Sequence, residues 1–178
     1  MGKYHKMTHL SLLLTFGIAL HLVENAFPLP LPVPGAKLGL ANTISLMTLV
    51  IYGGKEALMV ATLRSVLGSL LGGSLSSLIY SLSAAIVATV AMSTFHRLFK
   101  DTFSLVGISI IGGVAHSITQ ISVASIILAT WGLYVYLPVL LMLGLITCFF
   151  TGLAVFYVKQ NLGNAFERKK PQGGGQKS

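Results

Sequence analysis

Few residues of this 178-residue chain are able to do chemistry, and most of them sit among apolar neighbours. His21, Glu24 and Asn25 close a first apolar run, Lys37 and Asn42 flank the exit from a proline-rich stretch, Arg64 interrupts a third run, and His116 and Gln120 interrupt a fifth. The i,i+4 spacing places His21 and Asn25 on one helix face and His116 and Gln120 on another. Within a bilayer an ionisable group is costly, so it faces a bundle interior or a wet cavity and is functional by default. Arg64 lies nine residues beyond Lys55, which at 1.5 Å per residue is ~14 Å, close to the midplane. Such an arginine costs ~2.5 to 3.5 kcal/mol even on translocon scales, so something must compensate it. Glu24 is the single acidic residue of the outer half and cannot neutralise Arg64, Lys37 and a protonated histidine together. The set reads as one outward-opening pocket, led by Arg64, Lys37 and His116 and completed by Glu24, Asn25, Asn42, Gln120 and His21. Its surplus positive charge suits a small ligand with a carboxylate or phosphate and an apolar remainder.

Plainer readings compete for the same residues. Arg64 and Glu24 would form an interhelical ion pair; His116 would hydrogen-bond a neighbouring helix; Asn42 would cap the second helix; Glu24 and Lys37 would lie at the interface. Other chemistries lack their parts. Asp101 is the one aspartate, so the clustered carboxylates that hold magnesium against a diphosphate are missing. There is no P-loop, no Ser-His-Asp set and no H-E-x-x-H. The lone Cys148 excludes a disulfide framework and a cysteine-based zinc site. The expectation is a non-enzyme with no cofactor and no metal.

The elements that must position these residues are membrane helices. With 54% hydrophobic residues, 9% charged and a mean hydropathy of +0.83, the chain lacks the polar surface of a soluble globule. Its net charge of +8 does not indicate nucleic acid, because four of its twelve basic residues follow Phe166 and most others fall at helix ends. Spans need roughly 20 apolar residues, which divides the chain into segments over about Met7 to Phe27, Leu40 to Tyr52, Ala57 to Leu71, Leu75 to Phe95, Phe103 to Thr130 and Val139 to Tyr157. An all-α membrane protein follows, a six-helix transmembrane bundle with a proline-rich outer loop (Pro28 to Pro34) between helices 1 and 2. The second and third segments are short and leave a re-entrant hairpin open. Residues 1–160 form one transmembrane domain, and 161–178 a polar, disordered cytoplasmic tail. Lys3, Lys6, Lys55, Arg97, Lys100, Lys159 and the terminal cluster share one side after six crossings, so both termini are cytoplasmic by the positive-inside rule.

Small residues recur every fourth position in three places: Ser11, Thr15 and Ala19; Gly68 and Gly72; and Gly144, Cys148 and Gly152. Such stripes let helices approach closely in lipid, for internal packing or for a separate subunit.

The stretch Leu22-Val-Glu-Asn-Ala-Phe-Pro, the block Val33-Pro-Gly-Ala-Lys-Leu-Gly-Leu-Ala-Asn42, then Lys55-Glu-Ala57, Arg64, Gly112-Gly-Val-Ala-His-Ser-Ile-Thr-Gln120 and Tyr136-Leu-Pro138 resemble the heptaprenyl diphosphate synthase component I family, also called the Gx transporter family. Ser117 stands where the family's asparagine is expected. That family in turn resembles the S components of energy-coupling factor (ECF) transporters. The resemblance implies a bacterial plasma-membrane, multi-pass, substrate-binding subunit that captures a vitamin-like, flavin-related or quinone-related molecule from outside. It also implies docking on a transmembrane coupling subunit with two ATPases, through a first-helix stripe matching Ser11, Thr15 and Ala19. The alternative is a non-catalytic membrane subunit of isoprenoid or quinone biosynthesis, or of quinone- or flavin-linked electron transfer. Membrane lipid is a partner in either case, and nucleic acid in neither.

Overall fold

The computed structural model describes residues 3–26, 37–72, 75–99 and 103–168. The proline-rich loop, the polar loop around Asp101 and the end of the tail lie outside the described residues. Among the described residues there are six α-helices: α1 Lys3–Ala26, α2 Asn42–Tyr52, α3 Gly54–Leu71, α4 Leu75–Leu98, α5 Leu105–Ile127 and α6 Leu137–Arg168. A 3-10 helix, Trp131–Tyr136, precedes α6, and no strand occurs among the described residues. Four helices are long and apolar enough to cross a membrane: Tyr4–Ala26, Leu78–Leu98, Leu105–Ile127 and Trp131–Asn161. The chain is therefore a multi-pass membrane protein. The six helices match the expected count, but α2, with 11 residues, and α3, with Lys55, Glu56 and Arg64 in its 18 residues, are not among those four. Helix α6 also continues to Arg168, through residues 161–168, which composition alone assigns to a disordered tail.

Because lipid provides no water, hydroxyls in these helices need internal partners. Thr48 donates to the Ile44 carbonyl at 2.7 Å, Thr89 to Ala85 at 2.7 Å, Thr119 to Ala115 at 2.7 Å and Thr147 to Leu143 at 3.0 Å. Each hydroxyl is thus satisfied by its own helix one turn back. Only α5 has a side-chain cap that is described: Ser104 accepts from the Gly107 N–H at 3.1 Å, a gain of ~1 kcal/mol.

Contacts along the helices give their directions. Lys6 of α1 reaches Glu56 of α3 at 2.5 Å. Further along, Gly17 lies under the Arg64 stem, the His21 ring lies on Gly68, and Asn25 lies on Gly72. The pairing 6–56, 17–64, 21–68 and 25–72 means that α1 and α3 run parallel, in register. Helix α2 runs against both: its Asn42 end meets Arg64 at 3.2 Å, and Tyr52 at its other end meets His9 Nδ1 at 2.8 Å. A helix of 11 residues covers ~16 Å, so α2 starts at the level of Arg64 and returns to the Lys6 end.

Helices α4, α5 and α6 form the other side, each antiparallel to the next. Gly112 of α5 packs on Met92 of α4, Gly113 on Cys148 of α6, and Gly152 of α6 on the Val106 backbone, where a Cβ would lie 2.5 Å away. The stripes Gly68–Gly72 and Gly144–Cys148–Gly152 are thus used inside the bundle. By contrast, Ser11, Thr15 and Ala19 are all exposed on the outer face of α1. Exposed Leu12, Phe16, Met142, Ile146 and Phe150 make the outer surface of α1 and α6 apolar, as lipid contact requires. Trp131 stacks on Tyr134, whose hydroxyl meets Ser122 Oγ at 3.0 Å, so the turn into α6 carries the amphipathic aromatics of a membrane interface.

Candidate functional site

The block Lys37-Leu-Gly-Leu-Ala-Asn42 forms the turn that leads into α2. Gly39 has φ +80, a left-handed conformation that favours glycine, and its carbonyl accepts the Asn42 N–H at 2.9 Å. A Cβ on Gly39 would also lie 3.0 Å from Asn42 Nδ2 and 3.9 Å from His116 Cδ2. Tight turning here brings Lys37, Leu40 and Asn42 against α1, α3 and α5 in a few residues.

Around this turn the structure assembles nearly the whole predicted set. Lys37 Nζ lies 2.7 Å from His21 Nε2, and the Lys37 N–H approaches Gln120 Oε1 at 3.4 Å. Glu24 accepts the Leu40 N–H at 2.7 Å. Arg64 Nη2 donates to Asn42 Oδ1 at 3.2 Å and Ser45 Oγ at 3.4 Å. His116 lies beside the turn, near Gly39. His21, Glu24, Lys37, Asn42, Arg64, His116 and Gln120 are all buried, none above 8% exposed. Asn25 is half-buried and lies against Gly72, one turn beyond the others.

Two of the plainer expectations are corrected by this geometry. Arg64 and Glu24 form no salt bridge: among the described residues that interaction is Lys6–Glu56, and the Glu24 carboxylate is taken up by a peptide N–H. Asn42 is not a cap, because Ala41 is the N-cap residue without a side-chain bond and the Asn42 side-chain Oδ1 is used by Arg64. His116 does face a neighbouring helix, where its ring meets the Ala84 backbone of α4. Sequence reasoning also missed three serines. Ser45 accepts from Arg64, Ser69 Oγ lies 3.4 Å from His21 Nε2, and Ser65 is buried with an unpartnered hydroxyl. Ser65 and Ser69 are one turn apart beside Arg64, but serine is too common in these helices for that spacing to stand out.

The electrostatics are one-sided. Two buried cations, Arg64 and Lys37, accompany one buried carboxylate, Glu24, so with neutral histidines one positive charge is in surplus. An ammonium only donates, so His21 Nε2 accepts from Lys37 and the His21 proton resides on Nδ1. That Nδ1, Arg64 Nε and Asn42 Nδ2 are buried without partners. All three of these unpaired positions are donors. Each costs ~1 to 3 kcal/mol when left dry and unmade. A donor-rich, cationic interior is complementary to an acceptor-rich anion.

The family model for heptaprenyl diphosphate synthase component I matches residues 13–158. The chain belongs to the heptaprenyl diphosphate synthase component I family. The match includes every residue of the buried cluster, begins after Lys6 and ends before the tail. The family name makes its members components of a larger assembly. No curated protein and no solved structure matches the chain.

Proposed function

We propose that this protein is the substrate-binding subunit of a membrane transporter, similar to an ECF S component, and that the cluster around Arg64 holds a small anionic or amphipathic molecule taken from outside the cell. The observation that carries this reading is the excess of buried, unpartnered donors over acceptors around Arg64 and Lys37. In this reading the chain crosses the bacterial plasma membrane six times, with α2 and α3 completing the spans, and both termini are cytoplasmic. Ligand enters from the side of Asn25 and Trp131, and Lys37 and Arg64 bind its carboxylate or phosphate. A coupling subunit with two ATPases docks on α1, whose Ser11–Thr15–Ala19 face is left open by the rest of the bundle.

The family name supports a second reading, in which the chain is a non-catalytic membrane subunit of heptaprenyl diphosphate synthesis. Copurification from native membranes separates the two. A coupling protein with paired ATPases is the expected catch; recovery of a soluble prenyltransferase in their place decides for the second reading.

Orientation is testable with single cysteines in a Cys148→Ala background. Cysteines at Tyr4 and Lys159 should resist a membrane-impermeant maleimide applied to intact cells, whereas one at Trp131 should react. Reaction at all three sites would refute the six-crossing topology.

Docking makes its own demand. Thr15 bonds only to the Ser11 carbonyl of its own helix, at 2.9 Å, and is exposed. Thr15→Leu should therefore leave thermal stability within about 0.5 kcal/mol and weaken copurification of the coupling protein. Loss of folding in that variant would mean that the stripe packs within the protein.

A further inference from the structure

A cleft of about 620 Å³ opens between the α2–α3 turn and the last turns of α4. It lies at the Lys6 end of the bundle and shares no residue with the buried cluster. Its lining mixes basic and hydroxylic side chains, among them Lys55, Arg97, His96 and Ser93, with apolar ones, Leu49, Leu58 and Val90. Among the described residues, no acidic one lines it. Glu56, adjacent to Lys55, is held by Lys6 of α1 at 2.5 Å and does not line the cleft. Asp101 lies outside the described residues. Ser93 Oγ is buried without a hydrogen-bond partner, and Gly54 keeps α3 close enough that a Cβ there would lie 3.1 Å from that oxygen.

These features specify a ligand with two parts. Arginine and lysine together favour phosphate, the first through a planar fork of donors and the second as a point charge. The leucine and valine side chains of the lining gain nothing from a bare ion but bury an apolar chain at ~25 cal/mol per Å². We propose that this cleft binds the phosphate head of an amphiphile, with Lys55 and Arg97 on the phosphate, the Ser93 hydroxyl donating to it, and the first carbons of the chain against Leu49 and Val90. An anionic phospholipid and a prenyl diphosphate both carry this chemistry. The proposal stands independently of the Arg64 cluster, since neither its residues nor its end of the bundle are involved.

The test uses the delipidated protein in detergent, titrated by native mass spectrometry with farnesyl diphosphate, with phosphatidylglycerol, with inorganic pyrophosphate and with zwitterionic phosphatidylcholine. Farnesyl diphosphate or phosphatidylglycerol should bind at least ~10-fold more tightly than pyrophosphate and phosphatidylcholine, and whichever does so identifies the source of the phosphate. The double variant Lys55→Ala/Arg97→Ala should lose that preference, with its helical circular dichroism intact because both side chains are exposed. Lys159→Ala, an exposed basic residue outside the cleft, should retain it. The proposal is overturned if no probe binds, if pyrophosphate or phosphatidylcholine binds equally well, or if Lys159→Ala weakens binding as much as the double variant.

Discussion

Arg64→Met is expected to abolish retention of the anionic ligand while leaving the protein folded and monodisperse in detergent. Methionine matches the unbranched stem that lies over Gly17, so the approach of α1 to α3 is kept. What is lost is the guanidinium: its bonds to Asn42 and Ser45, its free Nε and its charge. Hydrogen bonds to charged groups contribute ~1.5 to 3 kcal/mol each, and two such bonds to an anion correspond to at least ~100-fold in affinity. The empty protein should not suffer comparably. Removing a buried charge relieves a cost of ~2.5 to 3.5 kcal/mol, offset by the Asn42 carbonyl left without its donor. The measurement is mass spectrometry of small molecules released from wild-type and variant protein purified from the same cells, alongside thermal unfolding of each. An acidic compound present at equal stoichiometry in both samples would remove Arg64 from the binding site. A variant that aggregates would instead give the arginine a structural role.

Gly68→Val is expected to have the largest effect on stability. A Cβ at this position would lie 2.6 Å from His21 Cδ2 and 2.7 Å from Cγ, and the imidazole has no room to yield because it is fully buried and bonded to Lys37. Overpacking costs ~1 to 3 kcal/mol where the neighbour can shift; here the two added methyls should bring the loss to about 3 kcal/mol or more and drive α1 off α3. The cause is checked by a cycle with His21→Ala. If the clash is with the ring, Gly68→Ala should destabilise the wild type and be tolerated in the His21→Ala background, with a coupling above ~1 kcal/mol. Additive losses in thermal unfolding would contradict the contact.

Much of this arrangement was legible in the residues themselves, for identifiable reasons. The apolar runs of α1, α4, α5 and α6 are long enough that no other reading of them is physical. The polar set was legible because an apolar chain exposes each exception: Arg64, Lys37, His116 and Gln120 stand out where in a soluble protein they would be lost among many. What escaped was pairing. A search by charge unites Arg64 with Glu24, but the carboxylate takes the Leu40 N–H, because a turn held by Gly39 presents that donor only 16 residues away. The parallel α1–α3 contact was equally hidden. It depends on Gly17 and Gly68 meeting an arginine stem and an imidazole; the Gly68–Gly72 spacing marks a close approach without naming the partner, and Gly17 carries no such mark. Ser65 and Ser69 escaped for the opposite reason, since hydroxyls throughout these helices are absorbed by their own backbone.

The in-register pairing of α1 with α3 also governs the order in which a ribosome can deliver the protein to the membrane. Helix α1 enters the translocon first, carrying His21 and Glu24 into lipid before α3 has been synthesised. Their earliest partners are encoded nearby, since Leu40 follows Glu24 and Lys37 follows His21 by 16 residues in each case. The carboxylate and imidazole are thus sheltered as soon as the turn emerges. Ser69 follows His21 by 48 residues and so arrives a full hairpin later. Chain order thus makes Asn42 and Ser45, the partners of Arg64, available before the arginine-bearing helix is synthesised.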